Sequence, residues 1–261
     1  DKLEYFKSSI IGKSPFVYYI DSLNTAVLTV NSFSLDPDQF KSKLNDLFKS
    51  IRKKKSSNLV IDVRQNDGGY GISAIDLISF LIHEPSKQIK SGSVVTNVLP
   101  EKKYIIHTMS DYKQFFASNF DTIKVDDRWR LKEEHIEHSK IIPHKKAFDG
   151  TIYVLIGGRT YSAGATVALS AKNTDEMIVV GEEAGGGYYF NSGNYFATYE
   201  LPNSKIMVRI PLMKIDHFVS NNSVLIGSGV LPDIQVPLTV QDLIEGRDSQ
   251  LDYVLKQINK K

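Results

Sequence analysis

Three short apolar runs in this chain each lead into a glycine-rich turn, and this repeated arrangement limits the folds that it can adopt. The runs and their turns are residues 58–63 with 66–71, 151–156 with 157–164, and 177–180 with 181–187. Helix-like stretches follow the first two turns. A strand, a tight turn and a helix form the repeating unit of parallel α/β sheets, in which ligands bind beyond the carboxyl ends of the strands. We therefore predict an α/β fold of βαβ units with the three turns at one sheet edge.

The first part of the chain has a strand pattern followed by a helix pattern. Residues 16–20 and 25–30 are β-rich and are separated by a short polar connection. Asp36 and Pro37 then form a helix start, because aspartate is a favoured N-cap and proline fits the first turn. The apolar residues that follow at helical spacing are Phe40, Leu44, Leu47, Phe48 and Ile51. The basic run at 52–55 fits the carboxyl end of this helix.

Residues 85–149 are more polar than their surroundings, and we interpret them as an insertion or lid in a single domain that spans residues 1–261. Within them we expect weak strands near 93–98 and 104–107 and helices near 111–116 and 127–138. Farther on, residues 195–201 and 205–211 have the pattern of paired strands around a Pro-Asn-Ser turn.

Composition excludes several functional classes. The chain has 32 basic and 30 acidic residues and a formal charge of +2, so no global field attracts nucleic acid. It has no cysteine, which rules out disulfides, thiolate metal sites and a cysteine nucleophile. His135 and His138 have the spacing of a ligand pair but lack a third ligand, so we predict no metal and no cofactor. Its apolar runs are too short to span a membrane, and the oligomeric state stays open.

Ser162 lies where the second turn meets an alanine-rich helix, in the sequence Tyr-Ser-Ala-Gly at 161–164. One interpretation is an ordinary N-cap, since serine is favoured at that position. The other is a nucleophile, because unpaired backbone N–H groups and the positive helix end stabilise an oxyanion. The local pattern leaves both open.

Four segments together resemble the C-terminal processing (tail-specific) serine peptidases and their tricorn-type relatives. The segments are Leu-Val-Ile-Asp-Val-Arg-Gln-Asn-Asp-Gly-Gly at 59–69, Tyr-Ser-Ala-Gly at 161–164, Val-Gly-Glu-Glu-Ala-Gly-Gly-Gly at 180–187 and Gly-Ser-Gly-Val-Leu-Pro-Asp-Ile at 227–234. The resemblance covers roughly residues 25–236. It implies a ClpP/crotonase-like catalytic domain with βαβ units, a polar insertion and a C-terminal β region.

The resemblance also implies site residues and a setting. Ser162 corresponds to the nucleophile, and the N–H of Ala163 together with that of Gly69 or Gly68 corresponds to the oxyanion hole. The expected partner is a peptide or protein substrate, bound as an extended or C-terminal segment. The family's settings imply an extracytoplasmic bacterial protein, located in the periplasm or cell envelope or secreted.

The chain departs from the family where the general base is expected. A Gly-Glu-x-Thr-x-Gly-Lys motif supplies a lysine in processing peptidases, but Gly187 stands in that place here. Tricorn-type members have a histidine on the strand before the long helix, and residues 28–31 contain none. His217, beside Asp216, is the remaining candidate, with an exposed loop histidine as the alternative interpretation. Either Glu182 or Glu183 could orient a base.

Three functions remain open from the sequence. The first is a serine peptidase that forms an acyl-enzyme at Ser162. The second is a peptide- or glycan-binding module on a catalytically degenerate scaffold, because the expected lysine and histidine are missing. The third is an acyl-CoA hydratase or hydrolase of the same broad fold, since such enzymes also use two backbone N–H groups as an oxyanion hole.

Overall fold

The computed structural model describes residues 12–108, 111–135 and 138–260. The chain divides into two compact units. The first contains the chain up to Ser86, Ile141–Tyr188 and the chain from Val219 onward, and the second contains Lys87–Lys140 and Tyr189–Phe218. The single catalytic domain over 1–261 stays a prediction, because compactness alone does not show that each unit folds independently.

Twelve strands and six α-helices make up the described part of the chain. The strands are β1 (Phe16–Ile20), β2 (Thr25–Thr29), β3 (Asn58–Asp62), β4 (Ile89–Val94), β5 (Ile105–His107), β6 (Phe120–Val125), β7 (Arg128–Leu131), β8 (Thr151–Ile156), β9 (Met177–Gly181), β10 (Phe190–Glu200), β11 (Met207–His217) and β12 (Ile234–Gln235). The helices are α1 (Pro37–Lys54), α2 (Gly71–Ser79), α3 (Tyr112–Asn119), α4 (Ala163–Lys172), α5 (Val240–Glu245) and α6 (Ser249–Ile258).

The sheet of the first unit has the strand order β1-β2-β3-β8-β9-β12. Strands β2, β3, β8, β9 and β12 are parallel, and β1 pairs antiparallel with β2 at one edge. Both faces of the central strands are buried, as is typical of parallel sheets covered by helices. This arrangement confirms the α/β fold with βαβ units.

Helices cover both faces of this sheet. On one face α6 places Leu251, Val254 and Ile258 against residues of β2, β3, β8 and β9. Helix α4 packs on β8 and β9 and contacts α2, which in turn contacts α1. The side chain of Asp36 accepts N–H bonds at the start of α1, and the five predicted apolar residues of that helix are buried. The helix start and the inward face were therefore predicted correctly.

The second unit is built on an antiparallel sheet with the order β5-β10-β11-β4-β7-β6. One side of this sheet packs against Phe115 and Phe116 of α3. Strands β10 and β11 are longer than the sequence pattern indicated, and they pair with each other as predicted. The insertion expected at 85–149 corresponds in part to this unit, whose sheet is completed by strands from Tyr189–Phe218. No local pattern in the sequence indicated that pairing.

The helix predicted near 127–138 is wrong. Residues in this region form a β-hairpin, in which β7 pairs antiparallel with β6. Asp126 and Asp127 form the connecting turn with φ of 51° and 60°. Two consecutive positive φ values are typical of hairpin turns whose twist matches that of the strands, and aspartate tolerates this conformation better than most residues. The turn therefore ends β6 and reverses the chain.

The C-terminal region contains less β structure than expected, since β12 has two residues and two helices follow it. Thr239 and Asp242 form a reciprocal capping box at the start of α5, and Asp248 caps α6. These capping residues precede apolar residues at helical spacing, which is the sequence pattern typical of a helix start. Within the described ranges, no helix combines the length and apolar character needed to cross a membrane.

Candidate active site

The three glycine-rich turns meet at one edge of the first sheet, as the sequence predicted. Strands β3, β8 and β9 are parallel neighbours, so their carboxyl ends share that edge. Hydrogen bonds connect the turns: Thr160 Oγ1 donates to the carbonyl of Val63 at 2.9 Å, and the Gly186 N–H donates to the carbonyl of Thr160 at 3.0 Å. The turns therefore form one connected structure.

Ser162 lies in the turn between β8 and α4 and is exposed. It occupies the N-cap position, but its hydroxyl makes no capping hydrogen bond. Its backbone has φ 50° and ψ −123°, a conformation that costs about 1–3 kcal/mol for a residue with a side chain. Among the described residues, no group forms a hydrogen bond with the Ser162 hydroxyl. The interpretation of this serine as an ordinary side-chain cap is therefore wrong.

Gly68 lies directly beside the Ser162 side chain. A Cβ built on Gly68 would be 2.6 Å from Ser162 Cβ and 3.1 Å from Ser162 Oγ, and Gly68 has φ 104°. No larger residue can occupy this position without moving the serine. The backbone of the first turn therefore approaches the hydroxyl closely.

The N–H groups of Gly68 and Gly69 have different surroundings. The Gly68 N–H donates to Asn66 Oδ1 at 2.9 Å and is already paired. The Gly68 carbonyl accepts from the N–H of Phe33 at 2.8 Å. Because a trans peptide directs its C=O and N–H oppositely, the Gly69 N–H points away from Phe33. Of the two glycines named as oxyanion donors, Gly69 alone has an N–H left to offer, and it is exposed.

Ala163 is the first residue of α4 and is buried. Its N–H lies in the first helical turn, where backbone N–H groups have no carbonyl partner inside the helix. The positive end of the helix dipole also lies there. This position suits a donor to an anion that forms at Ser162.

Asn66 holds the first turn against its neighbours and is fully buried. Its Nδ2 donates to the carbonyl of Val30 at 2.8 Å, while its own carbonyl accepts from the N–H of Tyr161 at 2.8 Å. Asn66 thus connects three segments: Val30 directly after β2, the turn at Gly68, and Tyr161 beside Ser162. Neither Asn66 nor Thr160 was singled out from the sequence, where the signal was limited to their positions inside glycine-rich turns.

Glycines of the third turn allow the Ser162 turn to pack tightly. A Cβ on Gly185 would be 2.2 Å from the ring of Tyr161, and one on Gly186 would be 2.3 Å from Ala165 Cβ. Only a residue without a side chain fits these contacts. The glycines of the third turn are therefore explained by close packing against the Ser162 turn.

The expected positions of the base are occupied differently. Gly187, which stands in place of the family lysine, forms a backbone bridge with Gly229 and has no side chain to offer. Glu183 Oε1 accepts from the Gly229 N–H at 2.7 Å, and Glu182 Oε2 accepts from Gln250 Nε2 at 3.4 Å. Both carboxylates therefore have partners in the first unit.

His217 is the last residue of β11, in the second unit. Its side chain is buried, and its backbone N–H donates to the carbonyl of Tyr189 at 2.8 Å. Ser162, Gly68, Gly69 and Ala163 lie together in the first unit, whereas His217 belongs to the other. Its role as the base stays a prediction.

The chain belongs to peptidase family S41, whose family model matches residues 24–236. This range includes the three glycine-rich turns and Ser162 described above. No curated protein sequence matched the chain.

Solved structures of low sequence identity share the fold. Mature CPAF is 18% identical with a TM-score of 0.62, and the match covers 91% of this chain and 52% of that one. A protein from Parabacteroides merdae ATCC 43184 described as a peptidase is 16% identical with a TM-score of 0.56, covering 95% and 65%. One from Bacteroides fragilis NCTC 9343 described as an S41 protease is 14% identical with a TM-score of 0.55, covering 94% and 57%. This chain therefore spans about half to two thirds of these chains.

Proposed function

We propose that this protein is a serine-type peptidase that hydrolyses peptide bonds through an acyl-enzyme at Ser162. The observation that carries the proposal is the geometry of this residue: an exposed hydroxyl, free of any capping role, sits on a strained turn beside the Gly68 backbone. Strained strand-to-helix turns present nucleophilic serines in other hydrolases. Membership of peptidase family S41 supports the same reaction.

In the proposed reaction, Ser162 Oγ attacks the carbonyl carbon of the scissile peptide bond and gives its proton to the general base. The resulting oxyanion accepts hydrogen bonds from the N–H groups of Gly69 and Ala163. The C–N bond then breaks, the base returns the proton to the leaving amine, and water hydrolyses the ester. Each such backbone donor is worth roughly 3 kcal/mol of barrier reduction.

The proposed substrate is an extended or C-terminal peptide segment, with His217 as the base. An unassisted serine hydroxyl is a weak nucleophile near neutral pH, so some base is required. Asp216, the residue before His217, has a lowered pKa: burial raises it, but the hydrogen bonds from Lys214 and Ser91 and the charge of Lys214 outweigh burial. Asp216 is therefore ionised at neutral pH.

A covalent probe tests the proposal. A fluorophosphonate should label the protein at Ser162, with fluoride displaced from phosphorus, and Ser162→Ala should remove both the label and hydrolysis of a peptide library. Ser220→Ala, at another exposed serine, should change neither. Labelling elsewhere, unaffected by Ser162→Ala, would contradict the proposal. Saturable peptide binding without product would support a binding module instead.

Substitution of His217 tests the base separately. His217→Gln should lower kcat by about 10²–10⁴-fold and remove the limb of the pH–rate profile that falls toward acid. His107→Gln, at a second histidine of the same unit that is exposed, is the matched control and should leave the profile unchanged. An unchanged profile in His217→Gln would assign the base to another group.

We also propose an extracytoplasmic location in a bacterium, in the periplasm or cell envelope or as a secreted protein. Support comes from the settings of the family that the sequence resembles. Cell fractionation with a specific antibody, alongside marker proteins of each compartment, tests it. Recovery of the protein with cytoplasmic markers alone would refute this location.

A further inference from the structure

Arg64 lies between β3 and the turn that carries Gly68 and Gly69. Its side chain is 14% exposed, although it is charged, and the two carboxylates beside it, Asp62 and Asp248, are 10% and 19% exposed. A charged group this shielded from water needs several well-formed partners to offset its loss of hydration. The partners of Arg64 are Asp62, Asp248 and Gln250.

The guanidinium of Arg64 is held by two carboxylates at once. Nε and Nη2 donate to Asp62 Oδ1 at 3.0 Å and Oδ2 at 2.7 Å. Nη1 and Nη2 donate to Asp248 Oδ1 at 2.6 Å and Oδ2 at 2.7 Å. Two bidentate contacts fix the plane of the guanidinium as well as its position. The side chain therefore acts as a rigid connection between residues far apart in sequence.

The connection ends at the C-terminal helix. Asp248 is the N-cap of α6, where its Oδ1 accepts from the N–H of Leu251 at 3.0 Å. Gln250, fully buried in the first turn of α6, accepts from Arg64 Nη1 at 3.1 Å and donates to the carbonyl of Val236 at 2.8 Å. The start of α6 is thus fixed to the carboxyl-end edge of the sheet through Arg64.

Charge makes this connection difficult to replace. Burial alone would lower the pKa of Arg64, but the charge of Asp62 and the hydrogen bonds with Asp248 and Asp62 raise it well above its ordinary value. Without the guanidinium, two shielded carboxylates would face each other. Lysine would restore the charge but offers no planar fork for two bidentate contacts.

The backbone from Arg64 to Gly69 is short and passes through Asn66, so the position of Arg64 influences the oxyanion donor. The carbonyl of Val63, next to Arg64, accepts from the Asn66 N–H at 3.0 Å and from Thr160 Oγ1 at 2.9 Å. Catalytic donors must be held within about 0.5 Å of their productive geometry. A shift of about 1 Å can reduce the rate about 10²-fold.

We propose that Arg64 is a positioning residue for the oxyanion hole, and that helix α6 anchors it through Asp248. The proposal rests on the proposed function, since it concerns the Gly69 N–H that serves the acyl transfer. According to this proposal, α6 helps to hold the Gly69 N–H in its catalytic position, although the helix itself lies outside the three glycine-rich turns.

Kinetics of two variants test the proposal. Arg64→Lys and Asp248→Asn should each lower kcat by about 10- to 100-fold, with KM changed by less than about threefold, because the donor serves the transition state more than the ground state. Fluorophosphonate labelling should slow in parallel. The double variant should lose no more than the worse single variant, since both substitutions break one connection.

A neighbouring ion pair supplies the control. Arg247, the residue before Asp248, donates from its Nε to Asp242 Oδ1 at 2.7 Å. The hydrogen bonds and ion pairs of the Arg64 side chain within the described ranges go to Asp62, Asp248 and Gln250, and not to this pair. Arg247→Ala should lower the melting temperature but leave kcat unchanged. If Arg247→Ala lowers kcat as much as Asp248→Asn does, or if Arg64→Lys keeps full kcat, the proposal is overturned.

Hydrogen exchange measured by mass spectrometry gives a result that does not require catalysis. In Asp248→Asn, backbone amides of residues 63–70 should exchange faster, while those of α1 should keep their protection. Unchanged exchange at 63–70 would overturn the positioning role even if the wild type is active. Absent labelling of wild-type Ser162 would instead overturn the proposed function, so the two failures are distinguishable.

Discussion

The backbone of Ser162 has angles that glycine adopts more easily than serine does, with φ 50° and ψ −123°. This strain has to be offset by the hydrogen bonds of the surrounding turn, including the one from the Thr166 N–H to the Ser162 carbonyl at 3.0 Å. Strain of this kind is concentrated at functional sites, because it exposes a side chain that an ordinary helix start would use as a cap.

Ser162→Gly should be more stable than Ser162→Ala. Both variants lose the hydroxyl, but only glycine relieves the positive φ, so we expect a difference of about 1 kcal/mol in the free energy of unfolding. Urea denaturation of the two proteins under identical conditions measures it. Equal stability, or a more stable alanine variant, would mean that the turn is not strained in solution.

Gly68→Ala should abolish labelling at Ser162 and destabilise the protein by about 1–3 kcal/mol. The new methyl group would overlap Ser162 Cβ at 2.6 Å, and φ is 104°. Gly71→Ala is the matched control, because a Cβ there meets nothing within 4 Å. It should keep activity and gain up to about 1 kcal/mol. Labelling of Gly68→Ala at the wild-type rate would contradict the close approach.

At this scale the sequence predicted which residues come together at the candidate site, and the structure places Ser162, Gly68, Gly69 and Ala163 in one unit. It did not predict how each N–H is used. The motif at 161–164 and the paired glycines left the role of Ser162 open, and the family resemblance named Ser162, Gly68, Gly69 and Ala163 as site residues. The hydrogen bond from the Gly68 N–H to Asn66 depends on the direction of one buried side chain. A pattern of residue types does not specify that direction.

Among the elements, those with a strong period and clear caps were predicted well. Helix α1 has an aspartate cap, a first-turn proline and a buried face at regular spacing, and it begins and ends as expected. The helix predicted near 127–138 covers strand β7, and the hairpin escaped prediction because its turn is made by Asp126 and Asp127, without the glycine that usually marks such turns. The local composition there fits a helix or a strand, and the pairing of β7 with β6 makes the segment a strand.

The cap of helix α6 should make the protein sensitive to acid. Burial raises the pKa of Asp248, but the hydrogen bonds and charge of Arg64 outweigh it, so the pKa lies below its ordinary value. The ionised carboxylate therefore stabilises the fold fully above about pH 4, and this contribution is lost as the pH falls further toward the folded-state pKa. Asp248→Asn should be less stable at pH 7 and lose less stability on acidification.

Chemical denaturation at several pH values between 3 and 7 measures this difference. Asp252→Asn, an exposed acidic residue in the same helix, serves as the control and should keep the wild-type pH dependence. Parallel stability curves for Asp248→Asn and the wild type would show that the carboxylate is not held by Arg64 in the folded state.

For the whole molecule, two units with separate apolar cores are the main organising feature. The second unit has its own cluster, which includes Phe120, Leu131 and Met213. The polar composition of residues 85–149 predicted an insertion, but it did not predict that these residues share a sheet with β10 and β11. Strand β4 pairs with β11 across more than a hundred residues of chain, and such pairing leaves no trace in local periodicity.

Phe120→Ala should weaken the second unit selectively. The ring is 1% exposed and packs against Phe116 of α3, so its removal should cost about 3–5 kcal/mol. Hydrogen exchange should then rise in residues 87–140 and 189–218 before it rises in the first unit. Ile123→Ala, at an exposed position of the same strand, should have little effect. Uniform loss of protection across both units would indicate a single cooperative core.

The order of strands in the second sheet also bears on how the protein is made. During synthesis, β4, β6 and β7 can pair with one another as soon as they leave the ribosome, but β10, the strand that pairs with β5 in the described part of the chain, is made much later. The segment that carries Ser162 is translated in between. At about 5–20 residues per second, the wait lasts several seconds, so the nascent chain exposes an open sheet edge while the turn at Ser162 is already present. A chaperone that covers this edge would act during that interval.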